Sequence, residues 1–99
     1  MSFVVTHPEI LSAAAGNLAG IGDSMKAGTA AAAAPTTGVM PPAADVVSAM
    51  TAAQFAAHAQ MFQEISAQAA AVHDQLVATL ESNAGAYTAA EAANVAGAG

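Results

Sequence analysis

Residues 45–83 run close to forty positions without a glycine or a proline. The stretch is rich in Ala, Gln, Leu, Met and Glu, which lose little backbone or rotamer freedom in a helix. At about 1.5 Å per residue, one continuous helix of that length spans roughly 60 Å, well beyond the ordinary globular helix. Such a rod needs something equally long to lie against. On a wheel of about 100° per residue, Val47, Met50, Met61, Ile65, Val72 and Leu76 gather on one side. Phe55, Phe62 and Leu80 widen that arc to roughly 140°. Gln60, Gln63, Glu64, Asp74, Gln75 and Glu81 fall mostly opposite.

Upstream, Thr6-His7-Pro8-Glu9 reads as a helix start. Thr6 is the expected N-cap, Glu9 completes a capping box, and Pro8 sits in the first turn, where its missing N–H is harmless. Val5 and Ile10 stand where a hydrophobic staple would pair them, after a short extended lead from Met1. The first helix is predicted over residues 7–34, with a last strained turn past Pro35 still open. Its stripe follows 3-4 spacing through Leu11, Ala14, Leu18, Ile21, Met25 and Ala32. Gly16 and Gly20 fall behind it, and their GxxxG spacing signals close helix approach or a tolerated exposed face.

Residues 35–44 form a stiff Pro-rich connection ending at Pro41-Pro42, and Asp45 offers the next N-cap. So short a link makes two antiparallel neighbours, an αα-hairpin. Asn83-Ala84-Gly85 reads as a stop, because Asn and Gly tolerate the left-handed C-cap conformation. The second helix is therefore expected over residues 45–84, followed by a tail, 85–99, whose Ala96-Gly97-Ala98-Gly99 end should fray.

The formal charge is −6, with Lys26 the single basic side chain, which argues against binding to nucleic acid or to an acidic membrane surface. No uniformly apolar window of about 20 residues predicts a membrane span. Without cysteine there is no disulfide or thiolate chemistry. His58 and His73 lie roughly 22 Å apart along one helix, too far to share a metal ion. His58 is expected at the helix seam and His73 partly exposed, with His7 brought toward the His73 region by the hairpin. No nucleophile elbow or phosphate loop accompanies the Ser, His and Asp residues. An enzyme and a cofactor are therefore not expected.

Hydrophobic residues make up 56% of the chain, yet alanine dominates them and aromatics are only 4%, so bulky core material is scarce. The second helix also carries an arc wider than a two-helix seam can cover. The sequence thus predicts an all-α hairpin that completes a four-helix bundle with another chain. The candidate interface is Leu11, Leu18, Ile21 and Met25 on the first helix. On the second it is Met50, Phe55, Met61 and Phe62, then Ile65, Val72, Leu76 and Leu80. A homodimeric helical scaffold satisfies the same pattern.

Met1-Ser2-Phe3-Val4 leading into Pro8-Glu9, then Pro41-Pro42-Ala43-Ala44-Asp45-Val46-Val47-Ser48 between two Ala-rich helices, closely resembles the mycobacterial PE family. The Pro-Glu pair that gives that family its name is Pro8-Glu9 here. The resemblance spans the whole chain and implies a short member without the long glycine-rich extension of some relatives. It implies an obligate heterodimer with a PPE-family protein and export of the folded pair through a type VII (ESX) secretion system to the outside or the cell surface. A cytosolic chaperone would act through the PPE partner. The family's Tyr-x-x-x-Asp/Glu secretion motif is matched by Tyr87-Thr88-Ala89-Ala90-Glu91, so Tyr87 and Glu91 are its expected readable residues.

Overall fold

The structure, a computed structural model, describes residues 4–98. The part of the expected extended lead at residues 1–3 lies outside the described residues, as does Gly99. Among the described residues the fold is all-α, with two long helices, α1 (Pro8–Thr37) and α2 (Val46–Ala98), and no strand. The chain divides into two compact units, Met1–Gly22 with His73–Gly99, and Asp23–Val72. Each pairs a segment of α1 with an antiparallel segment of α2.

The start of α1 is shifted by one residue from the capping-box reading. Pro8 is the first helical residue, so His7 takes the N-cap place and its carbonyl accepts from the N–H groups of Ile10 (3.0 Å) and Leu11 (3.5 Å). Thr6 is then one position too early to cap, and its hydroxyl donates instead to Glu91 Oε1 at 2.9 Å. The staple expected from Val5 and Ile10 fails with the register, and both side chains are exposed.

At its other end α1 passes through Pro35 to Thr37 rather than stopping at 34. Thr37 Oγ1 donates to the Ala33 carbonyl (2.7 Å), and the Gly38 N–H donates to the Ala34 carbonyl (3.0 Å). These bonds satisfy carbonyls of the last turn, where helical donors run out. Asp45 caps α2 as expected: its carboxylate accepts from the Ser48 N–H (2.8 Å) and hydroxyl (2.7 Å). The Ser48 hydroxyl, and then its N–H, hold the Asp45 carboxyl below its ordinary pKa.

The expected stop at Asn83-Ala84-Gly85 does not end α2, which continues through the predicted tail to Ala98. Gly85 costs up to about 1 kcal/mol in a helix interior. That cost is offset by the alanine-rich sequence beyond it and by anchors on either side. Ala84 is buried, the Thr88 hydroxyl donates to the Ala84 carbonyl (3.0 Å), and Glu91 accepts from Thr6.

Small residues fill the space between paired segments. In the first unit Ala15, Gly22 and Ala84 are buried, while Leu11, Leu18, Val77 and Leu80 are half-buried around them. In the second, Ala52 and Ala59 are buried, with Ala56, Gln63, Ser66 and Ala70 beside or between them. On α2 these positions recur with alternating spacings of four and three, the repeat of antiparallel packed helices. Gln63, expected on the outer face, lies in this row and donates from Nε2 to the Thr29 carbonyl at 3.0 Å. Glu81, also expected opposite the packed face, accepts from the Ser12 hydroxyl at 3.1 Å.

Of Gly16, Gly20 and Gly22 in the first unit, Gly22 sits against the opposite helix, and the other two do not. His73 Nε2 lies 2.6 Å from the Leu18 carbonyl oxygen, so that nitrogen carries the donated proton. Gly22 stands one helical turn after Leu18, and a Cβ there would fall 2.7 Å from His73 Cδ2. The missing side chain is what leaves the carbonyl open to the ring. His73, partly exposed as expected, is thus the seam histidine, while His58, expected at the seam, is exposed; His73 meets Leu18 rather than His7.

Gly22→Ala should therefore lower stability by about 1–3 kcal/mol through overpacking, despite alanine's better helix propensity. Gly16→Ala and Gly20→Ala, with open space around the new methyl, should raise it by up to about 1 kcal/mol each. Thermal unfolding of the three variants checks the opposite signs.

Candidate interaction surface

The bulky side chains assigned to a core and partner interface divide into two groups. Leu11, Leu18 and Leu80 are half-buried between the paired segments. Ile21, Met25, Met50, Phe55, Met61, Phe62, Ile65, Val72 and Leu76 are exposed, Phe55 at 63% and Val72 at 65%. In the second unit the residues that fill the seam and the residues rich in apolar area sit on different sides of α2, whereas in the first Val77 and Leu80 join the seam and Leu76 stays outside it. Spacing explains the separation. Phe55, Phe62 and Leu76 each stand one position before a half-buried residue (Ala56, Gln63, Val77), which turns them about 100° around the helix.

In the second unit the exposed side chains border a groove of about 280 Å³. Ala32, Pro35, Thr36 and Val39 form one wall, and Phe55, His58, Ala59 and Phe62 the other. The proline kept inside α1 and the Thr36 hydroxyl turned back to the Ala32 carbonyl leave this wall mainly apolar. No group of three metal-ligating side chains occurs among the described residues. Nor is any described helix long and apolar enough to cross a membrane.

The first unit holds the Tyr87 and Glu91 pair. Both lie on α2, one turn apart, with Tyr87 half exposed. Glu91 Oε1 accepts two bonds from Thr6, from the backbone N–H at 3.1 Å and from the hydroxyl at 2.9 Å. The Thr6 N–H, then its hydroxyl, and more weakly the charge of nearby His7, hold the Glu91 carboxyl below its ordinary pKa. His7 itself places Nδ1 3.2 Å from Glu9 Oε1. Pro8 is half-buried at the first turn, and Glu9 is exposed beside it.

The expected stop at Asn83-Ala84-Gly85 would leave Glu91 in a tail beyond the second helix. The bond to Thr6, 85 residues away, joins it to the fold. A pattern search misses such a pair because Thr6 satisfies a local capping rule equally well. The row of small residues at Ala52, Ala56, Ala59, Ser66 and Ala70 is present in the sequence, but a wheel weighted by bulk favours the larger side chains.

The sequence model of the PE family matches residues 4–94, and the chain belongs to that family. It is 64% identical over 98 residues to the PE family protein PE13 of Mycobacterium tuberculosis, covering 99% of both chains. It is 57% identical over 96 residues to the PE-PGRS family protein PE_PGRS33 of the same species. That match takes in 97% of this chain but only 20% of the longer relative.

Because the pKa of Glu91 is lower in the folded than in the unfolded chain, its anchoring is complete above the ordinary carboxyl value and is lost as pH falls through the lowered one. On acidification from about pH 6 to about pH 3, backbone carbon shifts of residues 85–98 should move toward coil values. Glu91→Gln should flatten that dependence.

Proposed function

We propose that this chain is a non-enzymatic interaction protein that pairs with a PPE-family protein. Two helices from each chain form a four-helix bundle, and the pair is exported through a type VII (ESX) system to the cell surface or medium. Tyr87 and Glu91 supply the export signal, and a cytosolic chaperone acts through the PPE partner. The observation that carries this reading is the separation of the two sides of α2: mainly small residues, with Val77 and Leu80, meet α1, while Met50, Phe55, Met61, Phe62, Ile65, Val72 and Leu76 remain exposed. Burying apolar area yields roughly 25 cal/mol per Å², so the larger part of the available stabilisation waits on a second surface. The surface is long, helical and methionine-containing, which suits a partner helix pair. Membership of the PE family and the Tyr87-x-x-x-Glu91 spacing support the export limb.

Coexpression with candidate PPE chains tests the pairing. Phe62→Asp should cut copurification at least tenfold by placing a charge in a desolvated seam, whereas Gln60→Ala, at an exposed polar position, should leave it unchanged. Equal loss from both would reject the assigned face. A stable homodimer of the chain alone, unaffected by PPE chains, would favour a self-associating scaffold. For export, the Tyr87→Ala, Glu91→Ala double variant should retain its partner in the cytosol yet be depleted from the culture filtrate and cell surface. Normal export of that variant would overturn the signal assignment.

A further inference from the structure

We propose that Thr6 is a third member of the export determinant, fastening Glu91 to the start of α1 so that Tyr87 is displayed from an anchored helix end. The inference rests on the export reading of Tyr87 and Glu91 and adds to it a positioning residue from the opposite end of the chain.

Thr6 contributes two donors that converge on one oxygen, its N–H at 3.1 Å and its hydroxyl at 2.9 Å from Glu91 Oε1. Such convergence fixes the carboxylate more tightly than either donor alone, and bonds to an ionised acceptor are the stronger kind. The donor side is itself held. Pro8, two residues on, locks its backbone angle as the first helical residue of α1. The acceptor side needs holding, because Gly85 weakens the last turns of α2 and α2 has no basic residue in its final turn to favour its C-terminal dipole.

Tyr87 lies four residues before Glu91, so anchoring the carboxylate also sets the direction of the ring, which remains half exposed. The acidic residue then acts mainly inside the chain, and the tyrosine is the group offered to a receptor. This division of labour suits a carboxylate at position 91: its charge strengthens both Thr6 bonds, and an aliphatic side chain would accept neither. It also specifies what position 6 requires, a hydroxyl donor, which serine supplies and valine does not.

Hydrogen exchange on the full chain as purified, read together with export, tests the proposal. Thr6→Val keeps the shape and the N–H but removes the hydroxyl. It should speed exchange across residues 85–98 about tenfold or more, the net worth of one bond to a charged acceptor. It should also reduce export toward the level of Glu91→Ala, while Thr6→Ser matches the unaltered chain in both measurements. Unchanged exchange in Thr6→Val would overturn the anchor, and faster exchange with full export would remove Thr6 from the determinant. If Tyr87→Ala is exported normally while Thr6→Val still exchanges faster, the export reading fails and the anchor stands as a structural contact alone.

Discussion

Packing through alanine and glycine is the constraint on which the rest of the molecule depends. Among the described residues Ala15, Gly22 and Ala84 in one unit, and Ala52 and Ala59 in the other, are the most buried positions, and no large side chain is fully buried. Small side chains let helix backbones approach closely, but each buried methyl contributes only about 0.8 kcal/mol. The seam therefore fixes how the helices meet more than it stabilises them. Its second effect is to turn Phe55, Phe62, Ile65 and Val72 away from α1, and so to create the exposed apolar face.

Where apolar burial is thin, specific polar contacts set the register. In the first unit Thr6 bonds to Glu91, Ser12 to Glu81, and Leu18 to His73, in an order that fixes the antiparallel sense. In the second, Gln63 reaches the Thr29 carbonyl. Two of the four, those of His73 and Gln63, end on main-chain carbonyls that small neighbouring residues leave accessible. Gly22 shows this most directly, since any side chain there would occupy the space of the His73 ring. A slip of either helix would break several of these bonds together.

Much of the architecture was legible in the sequence. The run from residue 45 to 83, the Pro41-Pro42 connection and the Asp45 cap located both helices, and the family signature at Pro8-Glu9 was already in view. The errors share one cause. Local rules were applied where a contact distant in sequence decided the outcome. Thr6 satisfied a capping box but bonds to Glu91, and Asn83-Ala84-Gly85 satisfied a stop signal but is carried through by packing at Ala84 and bonding at Glu91. The helical wheel gathers most of the exposed bulky residues of α2 on one arc, but it also puts Leu80 there and Gln63 opposite, and both lie at the seam. It does not distinguish the side that meets α1 from the side that does not, because the internal seam is largely small or polar, which a search weighted by bulk ignores.

The central claim is that the bulky face of α2 is reserved for a second chain, and the methionines report on it directly. Met25 and Met61 are exposed on helix faces, while Met40 is exposed in the connection. Peroxide footprinting of the chain alone and of its copurified complex compares the three thioethers in one experiment. The account predicts that all three oxidise readily in the isolated chain, and that Met61 and Met25 become protected in the complex while Met40 stays reactive. Met61 as reactive as Met40 in the complex would contradict it.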